Sequence, residues 1–217
     1  MNKRSLAAVA AVGVVGLLGT AGPALPAAQP INRACLQAPA TTSAGTPSAA
    51  FTSMLRVLRR SQKPSDGLEL ASLPHLGEGV YVSYIRLARV VAGSSYYLIP
   101  LAKANCSGPE ELILNVRSPG GFSSYGGSTA AQIAAGKQFG TCCLGPTAVV
   151  SGIVPDRVAK VLLSYPKSGR LHAVTITTRP VENVFVATVP RESTAASVPK
   201  SVIWRSASGR VIKTIHG

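Results

Sequence analysis

Acidic residues are scarce in this chain. Eight Asp and Glu stand against 22 Lys and Arg in 217 residues, a formal net charge of +14. Only Asp66 and Asp156 are aspartates, and only His75, His172 and His216 are histidines. Glycoside hydrolysis needs two carboxylates flanking one sugar. Here Glu110 and Glu111 are adjacent, so on a strand they point to opposite faces, and the other glutamates are isolated. A serine-hydrolase triad would have to be gathered from those few histidines and acids by folding alone, because no Gly-x-Ser-x-Gly elbow is present. His216 is penultimate, His172 borders a predicted turn and His75 follows Pro74. Ser164-Tyr-Pro-Lys167 matches Ser-x-x-Lys, but Pro166 rules out the shared helix that motif requires, and a strand end followed by a turn accounts for it.

Other chemistries lack their signatures too. Cys-x-x-Cys is missing, and no histidine stands at ligand spacing from a cysteine, which argues against redox and zinc sites. The glycine-rich stretch Ser118 to Ser128 has no Lys-Ser/Thr ending, so it is not a phosphate-binding loop. Aromatics make up 5% of the chain and do not interleave with basic residues, which excludes the usual signs of specific nucleic-acid recognition. Trp204 lies within a β-type run, where an aromatic belongs to a core rather than to a carbohydrate platform. No cofactor is implied.

What is present begins with Met1-Asn-Lys-Arg-Ser5, then an uncharged apolar run from Leu6 to Thr20, then small residues to Ala28. That is the pattern of a secretory signal peptide over 1–28. The apolar run falls short of the ~20 residues of a spanning helix, and no later run reaches that length. The expected location is therefore secreted or extracytoplasmic, at the cell envelope. Without Lys3 and Arg4 the net charge is about +12, which suits anionic cell-envelope polymers as partners. The basic residues are scattered except for Arg56, Arg59, Arg60 and Lys63, the one candidate basic patch.

Cys35, Cys106, Cys142 and Cys143 are an even set in an exported chain, which reads as two disulfides. A bond between neighbours forces a strained ring, disfavouring Cys142–Cys143. Cys106 then pairs with one of the two and Cys35 with the other, and the choice stays open.

The C-terminal part is the most regular. TAVVSGIVP, DRVAKVLLSYP, RLHAVTITT, NVFVATVP, SVIWRSA and RVIKTIH are rich in Val, Ile, Thr and Tyr and are bounded by Pro, Gly, Ser or Asp. Ala159, Val161, Leu163 and Tyr165 alternate onto one apolar face that should meet the core. In Asn183 to Val189 both faces are apolar enough to be buried. Ser208-Gly209 and Lys167 to Arg170 read as hairpin turns. Six short strands of this spacing predict an antiparallel sandwich or partial barrel.

Upstream, Gln29 to Thr46 reads as a linker. Thr46-Pro47 predicts a helix start, and Phe51, Met54, Leu55 and Leu58 predict an amphipathic helix ending before Pro64. Asp66 to Leu73 reads as a second short helix. Ile85 to Val91 and Ser95 to Leu101 read as a hairpin, with Tyr97, Ile99 and Leu101 on one face, and Glu111 to Val116 as a further strand. Ser118 to Ser128 reads as a loop, and Thr129 to Ala135 as a helical turn.

The mature chain resembles a loose group of exported actinobacterial proteins. The resemblance rests on Leu55-Arg-Val-Leu-Arg-Arg60, Arg86-Leu-Ala-Arg89, Val150-Ser-Gly-Ile-Val-Pro-Asp-Arg-Val-Ala159, Asn183-Val-Phe185, Trp204-Arg and Gly209-Arg-Val-Ile-Lys-Thr214. It implies the exported compartment and a β-rich C-terminal half, and brings no catalytic residues. Cys35 and the second cysteine of the 142–143 pair depart from the group's simpler pattern.

The expected fold class is α+β, mainly β: N-terminal helices and a hairpin over 47–145, then an antiparallel β-sandwich-like module over 146–217. The expected role is non-enzymatic interaction or structure at the envelope or outside. The rivals are a secreted hydrolase with a site the sequence does not reveal, and an electrostatic binder of anionic envelope polymers.

Overall fold

Period-two runs of β-branched residues dominate the chain, and they form sheets. The computed structural model describes residues 41–68, 79–103, 108–119, 121–124, 126–144, 147–167, 172–190 and 199–217. The segment read as a signal peptide, most of that read as a linker, His75, Cys35 and Cys106 lie outside them. The fold is mostly β with few helices, as its composition predicts.

Sheet A joins β1 (Arg86–Val91), β2 (Ser94–Leu101), β3 (Glu111–Ser118) and β4 (Gly121–Ser124) in sequence order. Sheet B has the order β5 (Phe139–Leu144), β6 (Thr147–Ile153), β9 (Val184–Pro190). Sheet C has the order β11 (Val211–His216), β10 (Ser201–Arg205), β7 (Lys160–Tyr165), β8 (Val174–Thr178). All three are antiparallel.

Sheet B is the middle layer. On β9, Val184 and Val186 face one core, while Phe185, Ala187 and Val189 face another. The first core adds Ala88, Leu98 and Leu114 of sheet A, with Phe51, Leu55, Val57 and Leu58 packed in. The second adds Val161, Leu163 and Tyr165 of β7 with Val202 and Trp204 of β10. The two-faced burial expected of Asn183 to Val189 and the inward set of β7 are both found, except that Ala159, just before β7, is exposed. Trp204 is a core residue. A smaller cluster of Tyr97, Ile99, Leu101, Ile113 and Ile85 covers the far side of sheet A. Sheet B itself runs from residue 139 to 190, so a line drawn between 145 and 146 passes through it.

The turns follow backbone chemistry. Ala92 and Gly93 close the β1–β2 hairpin with φ of 48° and 79°, the paired positive values of a type I′ turn. At the β10–β11 turn Gly209 takes φ 83°, and its N–H donates to the Ser206 carbonyl at 3.0 Å. A two-residue turn at Glu182-Asn183, φ 47° and 66°, lies between mutually bonded Val181 and Val184 and passes the chain from sheet C to sheet B.

Helix α1 spans Ala49–Met54, α2 Arg56–Arg59 and α3 Ala130–Ala135. Helix α3 fits its sequence closely. Thr129 and Gln132 form a reciprocal capping box and Gly136 ends the helix in the left-handed region. Lys213 Nζ donates to the Ala134 carbonyl at 3.0 Å, a cation at the helix C-terminus.

Four expectations need correction. The single helix after Thr46-Pro47 is two pieces starting at Ala49, because Leu55 is extended at φ −124°, ψ 99°. Asp66 ends a 3-10 turn, Pro64–Asp66, rather than opening a helix, and residues 69–78 are outside the described set. Ser118 to Ser128 is not simply a loop, since β4 lies within it and pairs with β3. Phe139–Leu144 is a strand that lies outside every run read as a strand from the sequence. Its Gly140 and adjacent cysteines hide the pattern, and pairing with β6 supplies what local propensity does not.

Candidate functional site

The helix break is where the scarce acids gather. Past Leu55 the backbone needs acceptors for the N–H groups opening α2, and side chains more than ninety positions later provide them. Asp156 Oδ1 accepts from the Arg56 N–H at 2.7 Å, and Asn183 Oδ1 from the Val57 N–H at 3.2 Å. Asn183 Nδ2 donates to the Val154 carbonyl at 3.0 Å and to Asp156 Oδ1 at 2.9 Å. Two acceptors thus serve as caps for α2. Arg59 Nη2 donates to Asp156 Oδ2 at 2.8 Å, and its Nη1 donates to the carbonyls of Thr52 and Ser53 at 2.6 and 3.1 Å. Burial opposes ionisation of Asp156, but the Arg56 N–H, Asn183 and Arg59 outweigh it and hold its carboxyl below the usual value.

Asp66 is the second hub and is fully buried. Arg60 reaches it with both guanidinium arms, at 2.6 and 2.8 Å. The backbone N–H groups of Lys63 and Leu87 donate at 2.7 and 2.8 Å. Burial alone would raise this carboxyl; the Arg60 fork and then the two backbone donors lower it to about 2. Glu182 lies 3.5 Å from Arg60 Nε, delivered by the same turn that delivers Asn183.

Arg86 completes the group and differs from the others. It is 3% exposed, and its hydrogen bonds among the described residues go to neutral carbonyls. Its Nη1 donates to Ser83 and Ile85 at 2.7 and 2.8 Å, and Nη2 to Arg60 at 2.8 Å. Its Nε has no partner, and its guanidinium lies 5.6 Å from the Tyr84 ring centre. Burial lowers its pKa, against the raising effect of Asp66. Between α2 and the 3-10 turn Val82–Tyr84 the three arginines, Arg59, Arg60 and Arg86, border an open cleft of about 660 Å³ that also includes Ser61 and Gln62 and, among the described residues, no acidic residue.

The four basic residues singled out in sequence therefore do different things. Arg59 and Arg60 are paired with acids, Arg56 is tied through its backbone, and Lys63 is exposed, its N–H held by Asp66. Sequence reading missed Arg86, Glu182 and Asn183. The available signal was Pro180-Val-Glu-Asn183 before a β run, since Asn tolerates the left-handed region.

Among the described residues the hydrolase candidates do not come together. His172 and His216 are exposed, and no ion pair joins a histidine to a carboxylate among the described residues. No cluster of His, Cys, Asp and Glu suited to a metal occurs among the described residues. Glu110 accepts from the Ser48 N–H at 2.8 Å, and burial raises the pKa of Glu111. Cys142 and Cys143 stand opposite Val149 and Ala148 in the β5–β6 ladder. No helix among the described residues is long and apolar enough to cross a membrane. Comparison with family models, with curated proteins and with solved structures finds no match for this chain.

Proposed function

We propose that this is an exported, disulfide-stapled protein with a binding or structural role at the cell envelope or outside it, rather than a catalytic one. Export is supported by the basic, apolar, small-residue order of Met1 to Ala28. The observation that carries the non-catalytic reading is the engagement of Asp66. Four N–H donors occupy its oxygens, so no lone pair is left to orient a histidine or take a proton from a substrate. Asp156 is likewise committed to three donors. Non-reducing peptide mapping of the secreted protein tests the proposal. A mature N-terminus near Ala28 is expected, with Cys106 bonded to Cys142 or Cys143 and Cys35 to the other. Retention of residues 1–28, or free thiols at Cys142 and Cys143, would count against it.

A second reading, electrostatic binding of anionic envelope polymers, is favoured by sheet C. Its four strands contain no acidic residue. On the face away from the core, Thr177, Leu162, Ile203 and Thr214 form one cross-strand row, and Thr175, Ser164, Ser201 and His216 the next. Lys160 and Arg205 stand side by side in the third. No lysine or arginine of these strands has an ion-pair partner among the described residues. Binding that weakens with added salt is the expected signature, and sedimentation with purified anionic wall polymer at low and high salt measures it. Salt-insensitive or absent binding would remove this reading.

A further inference from the structure

Among the described residues, two of the three arginines at the cleft are paired with acids, and the third is not. Arg59 meets Asp156, and Arg60 meets Asp66 and Glu182. Arg86 has no carboxylate within ion-pair distance among the described residues. Asp66 is the acid whose field reaches it, but the oxygens of Asp66 are filled by Arg60, Lys63 and Leu87. A guanidinium stays charged under all ordinary conditions, and a buried charge with only neutral partners is costly. Carbonyl groups satisfy part of its hydrogen-bonding capacity and none of its charge. The cleft wall above it offers hydroxyl and amide groups, Ser61 and Gln62 among them, and among the described residues no carboxylate to repel an anion.

We propose that this cleft binds the oxyanion of a small hydroxylated molecule, a sugar or polyol bearing a phosphate or a carboxylate. Oxyanions are the natural complement of a guanidinium cluster. The open wall sets the hydroxyl groups of Thr46, Ser61, Ser83 and Tyr84 beside apolar Pro47 and Leu58, a mixture that suits the hydroxyls and C–H faces of a polyol body. The cleft is separate from the outer face of sheet C, and the inference holds whether or not the protein also binds a polymer there.

The test uses the mature, disulfide-bonded protein at constant ionic strength, titrated separately with glycerol phosphate and with gluconate and followed by the arginine Nε–H resonances. Saturable movement of the Arg86 resonance by about 1–10 mM ligand is expected. Saturation by glycerol phosphate alone assigns a phosphate source, and saturation by gluconate alone assigns a carboxylate source. Either supports the site. Ser61→Asp, at an exposed position, brings a carboxylate to the cleft and should weaken binding at least about tenfold, near 1.4 kcal/mol, with the melting temperature unchanged. Gln62→Glu makes the same change from a second exposed position. No saturable response to either ligand, or equal binding by a folded Ser61→Asp or Gln62→Glu protein, overturns the proposal.

Discussion

Around the helix break three carboxylates each face an arginine, whereas sheet C carries lysine and arginine with no acid in its four strands. The first region uses charge to fix its own backbone. Asp66 and Asp156 receive peptide N–H groups as well as guanidinium groups, so their ion pairs also cap and join segments. The second region turns Lys160 and Arg205 outward on an already complete hydrophobic layer, while Lys213, opposite Trp204, caps α3. Charge removed from the first region should therefore cost stability, and charge removed from the second should cost only association.

Asp66→Ala gives the sharpest contrast. It leaves Arg60 and two peptide N–H groups without their acceptor, and a loss of about 3–5 kcal/mol is expected in urea unfolding. A loss below about 1 kcal/mol would place this buried pair with ordinary surface pairs. Asn183→Ala comes next. It removes an acceptor from the Val57 N–H and a donor from Asp156, and puts Ala at φ 66°, for an expected loss of about 2–4 kcal/mol. Thermal melts of Asn183→Ala beside Asn183→Gly, which loses the same side chain but tolerates φ 66°, separate the lost acceptor from the backbone strain.

Acid should act on the same region. Asp66 sits at about 2 against an ordinary 3.8, so the unfolded chain takes up its proton more readily than the folded one. Its stabilising contribution is complete above about pH 4 and is lost as pH falls towards 2, for a total of about 2 kcal/mol. Asp156 is shifted in the same direction and adds to the drop. Urea midpoints between pH 5 and pH 2 measure it, and Asp66→Asn should lack the Asp66 part. The smallest effect on stability is expected from Lys160→Glu, within about 0.5 kcal/mol, together with weaker sedimentation with anionic polymer. A large destabilisation there would erase the contrast between the two regions.

The strands of sheet C, and β6 and β9 of sheet B, were legible because their signal is local, whereas β5 was not, its pattern being hidden by Gly140 and the adjacent cysteines. Val161, Leu163 and Tyr165 alternate with Lys160, Leu162 and Ser164, and the structure buries the first set more deeply than the second. The apolar residues near Leu55 were legible as core for the same reason. The helix they were expected to complete was not, because its end depends on Asp156 and Asn183, which no local window contains. The arginine cluster was visible as a run of charge. Its division into paired Arg59 and Arg60 and carbonyl-bound Arg86 was not, since Arg86 reaches it from another strand. Strand β4 was hidden by a glycine- and serine-rich composition that also marks loops.

The acceptors at the helix break also set an order in time. The Arg56 and Val57 N–H groups wait for side chains 100 and 126 positions further along the chain. A growing chain passes through the ribosome with α1 and α2 made early and their final partners made late, so the earliest helical segments are among the last to be locked. Long-range closure of this kind slows folding. A fragment ending before the Glu182-Asn183 turn should carry the hydrophobic side chains of α1 and α2 yet remain open to protease at Leu55, and the full chain should close that site.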